Sequence, residues 1–341
     1  MDAMQFVPIL VVGFAASLGL TPVSRQIAMR LGVVDKPNQR KIHTDHKPLM
    51  GGLAIYVAFV LSLLLFSPSQ FMSELSAILL GATVLSVVGL LDDRFNLGIR
   101  IRLIAMTAAA IILIAAGIQI RLFNNPLIDY PLTIIWVLAI TNAMNFLDNM
   151  DGLCAGLTAI SAAFFLIIGL MQGLVFVSIL AAALVGSAVG FLAYNFNPAS
   201  TFMGDMGALV LGFTLAVLGI KLEFGTQPLD VTWMVPLLVL AVPIFDINLV
   251  VSTRILEGRS PAQAGKDHTS HRLMSVGFNQ RKTLFILYGS CVLFAFIGLL
   301  VSAAPPDIAM RIGLTALATL AGLFMLMFYI RKRFQLNQGK A

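Results

Sequence analysis

Long apolar stretches alternate with short polar ones along the whole chain. Runs at 5–24, 50–67, 75–91, 103–120, 132–147, 153–170, 174–192, 208–220, 233–250, 283–302 and 312–330 are each close to the length of a membrane-crossing helix. A bilayer's hydrocarbon core asks for roughly 20 apolar residues per helix, and in lipid a helix satisfies its own backbone hydrogen bonds. The pattern therefore predicts an all-α integral membrane protein, a polytopic bundle of about eleven helices. Residues 1–341 form a single transmembrane domain in this reading, and the longest polar loop, 251–282, has room for a short extra helix. The residues before the first run carry no Lys or Arg, so that run reads as a spanning helix and not a secretion signal.

Composition agrees with the pattern. Of 341 residues, 59% are hydrophobic and 11% charged, against about 25% charged in ordinary soluble domains. The formal charge of +6 raises nucleic acid as a partner, but the placement of the basic residues excludes that class. Only Arg121, Lys221 and Arg311 of the 22 basic residues fall in one set of alternate loops. The rest gather in the other set, which the positive-inside rule makes cytoplasmic. The N-terminus is then outside and the C-terminus cytoplasmic. Cys154 and Cys291 lie in or beside apolar helices without metal-ligand spacing, and read as packing residues.

Nine of the sixteen acidic residues lie on the same cytoplasmic side, and four segments there carry the candidate chemistry. Asp92 and Asp93 end an apolar helix as Asp-Asp-Arg, where a cation would offset two like charges near hydrocarbon. Asn145, Asp148 and Asp151 follow at three-residue steps toward Gly152, so neighbours share a helix face until the helix turns. Carboxylates and carboxamides at that rim suit the hydroxyls and imide of a nucleoside. Asn195, Pro198, Phe202 and Asp205 form a third segment, with Asp205 opening the next helix as a hard oxygen ligand. Taken alone, Asp205 reads equally well as an acid favoured by the helix dipole, and Phe202 reads first as interfacial packing.

The fourth segment is Asp267-His268-Thr269-Ser270-His271-Arg272. Two histidines three apart without a nearby cysteine make a poor zinc site, and a cationic lid over phosphate oxygens is the better reading. Lys47, after His43 and His46 in the first cytoplasmic loop, either reaches phosphate or obeys the orientation rule. Asp246 is the one carboxylate well inside a span, and such groups are functional candidates by default; it reads as lying beside the site or pairing within the bundle.

Together and in this order, these segments resemble the polyprenyl-phosphate N-acetylhexosamine-1-phosphate transferases. That superfamily includes undecaprenyl-phosphate N-acetylglucosamine-1-phosphate transferases and the phospho-N-acetylmuramoyl-pentapeptide transferase. The resemblance runs from about Asp35 to Arg272. It implies a bacterial inner-membrane enzyme, with its site on the cytoplasmic face, that moves a HexNAc-1-phosphate from a UDP-HexNAc to undecaprenyl or decaprenyl phosphate and releases UMP. It further implies Mg²⁺, with Mn²⁺ as a substitute, on Asp205 with Asp151 as a second ligand.

Asp92, Asp93 and His268 would share the catalytic work with Asp205. Lys47, Asn145, Asp148, Asp151, Asn195, Phe202, His271 and Arg272 would hold the substrates, Phe202 by stacking on uracil. A homodimer is compatible with the resemblance. Two departures bear on the sugar: Ser270 stands where the family often has a further histidine, and Lys47-Pro48-Leu49 stands where it often has Thr-Pro-Arg or Thr-Pro-Thr. The first disfavours the pentapeptide substrate without fixing the sugar, for which the resemblance makes GlcNAc the first choice. A proton- or Na⁺-coupled transporter is the rival from another class; it would place its charges near mid-bilayer between repeats, which this chain does not display.

Overall fold

The computed structural model describes residues 3–35, 47–222, 229–263 and 265–338; His43 and His46 lie outside them. The described chain is almost wholly helical. Its helices are α1 Val7–Leu31, α2 Gly51–Phe66, α3 Met72–Phe95, α4 Ile99–Ala115, α5 Pro126–Leu147, α6 Leu153–Gln172, α7 Val175–Asn195, α8 Gly204–Lys221, α9 Leu229–Thr232, α10 Met234–Val239, α11 Ala241–Leu256, α12 Thr269–Ser275, α13 Gln280–Ala303 and α14 Pro306–Gln338. Strands β1 Val34–Asp35 and β2 Lys47–Pro48 pair antiparallel, Asp35 opposite Lys47.

Ten of the eleven apolar runs each fall on one helix, and among the described residues eight helices are long and apolar enough to cross a membrane. The run at 233–250 is instead divided, α10 stopping at Val239 and α11 starting at Ala241. Proline explains the break: Pro243 has no N–H to give the Val239 carbonyl. The predicted short helix in the 251–282 loop is α12.

By contacts the chain forms two compact units, Met1–Glu223 and Phe224–Ala341. In the first, α7 packs on α1, α2 and α6, while α8 packs on α2, α3 and α5. These two helices are the most enclosed of the spans. Outward-facing positions are apolar: Leu64, Leu65, Ile104 and Ile135 are each at least 60% exposed, as lipid contact requires. Hydroxyls are turned inward and bonded back to their own helix, as Ser62 is to the Ala58 carbonyl and Ser187 to that of Ala183. Cys154 and Cys291 are buried free thiols. In the second unit α13 packs against α10, α11, α12 and α14.

Two glycines set how closely α8 is approached. A Cβ on Gly89 of α3 would lie 2.5 Å from the Cα and N of Met206. One on Gly52 of α2 would strike the backbone of Gly207. Backbone cannot rotate away as a side chain can, so any larger residue must part the helices. Overpacking of this kind costs about 1–3 kcal/mol. Gly89→Ala and Gly52→Ala should each lower the thermal midpoint in detergent and reduce activity. Gly19→Ala, whose Cβ meets nothing within 4 Å, should do neither; equal behaviour of all three would contradict this packing.

Candidate active site

Where α3 ends and α8 begins, their packing brings three carboxylates together. Asp93 Oδ1 accepts from the Asp205 backbone N–H at 2.8 Å, and its Oδ2 accepts from that of Met206 at 3.3 Å. The first N–H groups of a helix have no partner within it, and here a carboxylate from another helix supplies one. Asp93 thereby fixes where Asp205 sits. The Asp205 carboxylate takes 2.6 Å and 2.9 Å bonds from Asn145 Nδ2 of α5 and Arg102 Nη1 of α4. The same Arg102 nitrogen lies 3.2 Å from buried Asp92. One guanidinium thus bridges two carboxylates that the chain separates by more than a hundred residues.

Arg102 was not singled out from the sequence. It opens α4 two residues after Arg100, and the orientation rule alone explained a basic pair there. The signal that could have found it is spacing: Arg102 follows Asp92 across a short turn between two consecutive helices. The Arg of the Asp-Asp-Arg segment has another task. Arg94 Nη1 donates to the Leu31 carbonyl at 2.8 Å and so ties the end of α3 to that of α1.

The substrate-binding candidates of the first unit divide by what they touch. Asn145 reaches Asp205 directly. Asp151, expected as a second metal ligand, is turned to the following loop: its Oδ2 accepts from Asn197 Nδ2 at 3.1 Å and from the Ala199 N–H at 3.0 Å. Asn195, expected in a nucleotide pocket, is buried and clamps two backbones, accepting from Gly152 N–H and donating to the Thr201 carbonyl. A carboxamide, with one acceptor and one donor end, is the side chain suited to that double task.

Phe202 is half-buried at the end of the same loop. Its backbone N–H and C=O bond Pro48 O and Gly51 N–H at 2.9 and 3.0 Å. Lys47, paired opposite Asp35 in the ribbon, is therefore held next to this loop by its neighbour Pro48.

Asp148 stands at the C-terminal end of α5. Desolvation first, then the charges of Asp205, Asp151 and Asp35, push its carboxyl up to about 8.

In the second unit the histidine loop is built on ion pairs. Arg254 donates to Asp267 at 3.1 Å, and Arg259 bridges Asp267 and Glu257. Arg272, expected to face phosphate, is buried and holds the loop instead. It donates to the Asp267 carbonyl, the Met327 carbonyl and Thr253 Oγ1. His268 Nδ1 lies 2.8 Å from Asp246 Oδ2, so this carboxylate does pair within the protein. His271 is held down to about 4, by desolvation first and then by His268 and Lys266. It is neutral near pH 7, so the loop is less cationic than its sequence suggested.

These features define a class: a helical membrane protein with an acidic cluster, bridged by one arginine, where helix ends meet. The sequence model of glycosyl transferase family 4 matches residues 75–223, which contain that cluster. Three curated relatives extend the likeness over most of the chain. The probable undecaprenyl-phosphate N-acetylglucosaminyl 1-phosphate transferase of Bacillus subtilis strain 168 is 33% identical, over 88% of this chain and 86% of the relative. The decaprenyl-phosphate N-acetylglucosaminephosphotransferase of Mycobacterium leprae is 32% identical over 77% and 75%. The undecaprenyl-phosphate alpha-N-acetylglucosaminyl 1-phosphate transferase of Escherichia coli K12 is 29% identical over 81% and 78%. The chain belongs to glycosyl transferase family 4.

A carboxyl raised in the fold favours its protonated form there. The unfolded chain releases that proton near 3.8, so the stability linked to Asp148 is complete below that pH and is lost as pH climbs through about 8. In divalent-free buffer the thermal midpoint should therefore fall between about pH 5 and pH 8, and Asp148→Asn should flatten that fall. An unchanged slope in the variant would show that the carboxyl is not held in this way.

Proposed function

We propose that this protein transfers N-acetylglucosamine-1-phosphate from UDP-GlcNAc to a polyprenyl phosphate, releasing UMP, in a Mg²⁺-dependent reaction at the cytoplasmic membrane face. The observation that carries the proposal is the meeting of Asp92 and Asp205 on one arginine, with Asp93 on the Asp205 backbone N–H, at the ends of two packed helices. The relatives' names give the N-acetylglucosamine 1-phosphate group and the polyprenyl phosphate, the resemblance supplies UDP as the carrier, and the crowding of basic residues onto one set of loops supports the side of the membrane.

The donor set fits Mg²⁺. Its ligand atoms are carboxylate oxygens, and Arg102 between Asp92 and Asp205 marks a place where positive charge is accommodated. Among the described residues no three His, Cys, Asp or Glu side chains form a ready metal cage. Mg²⁺ keeps several waters and binds through one or two carboxylates plus substrate phosphates. Asp205, with Asp92 in place of Asp151, would hold it. When bound, the ion would offset charge on the diphosphate.

The chain's own residues do the rest. A lipid phosphate oxygen attacks the phosphorus that bears the sugar, and the bond from that phosphorus to the UMP oxygen breaks. A phosphate monoester loses its second proton near 6, so the attacking group is already dianionic and needs no base. Asp93, spent on backbone N–H groups, positions; Asp92 is paired with Arg102. Arg102 has a guanidinium that suits phosphate oxygens as well as carboxylates. The Asp151 and Asn195 bonds fix the loop that presents Phe202 to a uracil ring. The resemblance assigns His268 to the substrate phosphates.

Purified protein incubated with Mg²⁺, a panel of UDP-HexNAc sugars and polyprenyl phosphate should release UMP only when metal and lipid are both present, fastest with UDP-GlcNAc. Asp205→Asn should fold and lose activity by more than the 10–100-fold typical of groups that only orient a ligand, roughly 100-fold at least. UMP release that ignores chelator and this substitution would refute the metal assignment. A trapped sugar-phosphoryl enzyme would refute the direct displacement.

A further inference from the structure

Asp246 is a buried acid that the mechanism above does not use. It is 1% exposed, on α11, 22 residues before the histidine it meets. Both of its oxygens are engaged: Oδ2 faces His268 Nδ1 at 2.8 Å, and Oδ1 accepts the Thr269 backbone N–H at 2.7 Å. The second bond stops the carboxylate from turning, and the first stops the imidazole.

Charge balance alone does not account for this pairing. The surrounding loop is already anchored by arginines, Arg254 and Arg259 on Asp267, and Arg272 on two carbonyls and a hydroxyl. Arg254, equally buried and on the same helix as Asp246, goes to Asp267. The acid inside the helix is instead paired with an imidazole, the one partner that has a second nitrogen on the far side of its ring. An ionised carboxylate at Nδ1 keeps a proton on that atom, and the ring then presents Nε2 in a fixed direction. A buried carboxylate that orients and fixes the tautomer of a working histidine is a recurrent catalytic arrangement.

We propose that Asp246 is the positioning residue for His268. It sets the ring's orientation and keeps a proton on Nδ1, and it stabilises the doubly protonated imidazolium, the form in which Nε2 carries the proton it donates to a phosphate oxygen. This rests on the assignment of His268 to the substrate phosphates made above. Asp246 itself touches no substrate in this account, so its removal should act on turnover and not on UDP-sugar affinity.

The test uses the full-length protein in detergent or nanodiscs. The chain has four histidines, so ¹⁵N-histidine spectra compared with those of His268→Gln identify the signals of this ring. In the wild type the proton should lie on Nδ1; in Asp246→Asn it should shift toward Nε2. The same variant should lose roughly 100-fold or more in kcat with KM for UDP-GlcNAc little changed. In the double variant, Asp246→Asn should add nothing to the loss already caused by His268→Gln, because a positioning residue has nothing left to position.

Additive losses would overturn the proposal and make Asp246 a packing residue, as would an unaltered tautomer with unaltered kcat. Normal turnover in His268→Gln would also overturn it while leaving the transferase reading intact. Failure of the wild type to release UMP from any UDP-HexNAc would instead sink the functional reading, and the spectra would still decide the anchor. If Asp246→Asn does not fold, Asp246→Glu carries the comparison. It keeps the charge and should retain Nδ1 protonation and more activity than Asp246→Ser; no difference between those two would overturn the proposal.

Discussion

The first unit depends on a carboxylate that belongs to one helix and serves another. Asp93 leaves the end of α3 and occupies the unpartnered N–H groups at the start of α8. That bond sets the register of α8 against α3, and register decides where Asp205 points. The glycine contacts at Gly89 and Gly52 make the bond possible, since a single methyl group at either site would hold the backbones apart. Asp92, one residue earlier, then faces the same guanidinium as Asp205. The acidic cluster is thus a product of backbone packing as much as of the acids themselves.

The loop that follows α7 is fixed by a comparable economy of contacts. Asn195 joins the turn at Gly152 to the loop carbonyl of Thr201. Asp151 reaches the same loop through Asn197 and Ala199, and the Pro48 segment closes it from the other side. Three stretches far apart in sequence therefore share one rigid surface. Side chains that looked like ligands in the sequence are the struts of that surface, and Phe202 is what it carries.

Much of the helical architecture was legible because lipid makes such a simple demand: twenty or so apolar residues and no unpaired backbone. The division of the ninth run was less so, although Pro243 was there to be read. Among the site residues, the carboxylates were legible as a group because a cluster of acids at helix ends is costly without a reason. Their individual tasks were not. Asp93 as a cap, Asp151 and Asn195 as loop ties, and Arg272 as an anchor all depend on which backbone group lies opposite, and that follows only from packing. Arg102 was hidden because a rule about membrane orientation accounted for it. The link between Asp246 and His268 was hidden because nothing local connects them.

The Asp92–Arg102 pair has a consequence for how the protein is made. The two residues lie on consecutive helices, α3 and α4, which pack against each other. A nascent chain can therefore neutralise Asp92 as soon as that hairpin forms, with α8 not yet synthesised. Asp205 enters the bundle afterwards and finds a cation already in place. An acidic cluster that assembled only from its acids would have to cross this stage bearing uncompensated charge beside hydrocarbon; here the order of synthesis spares it that.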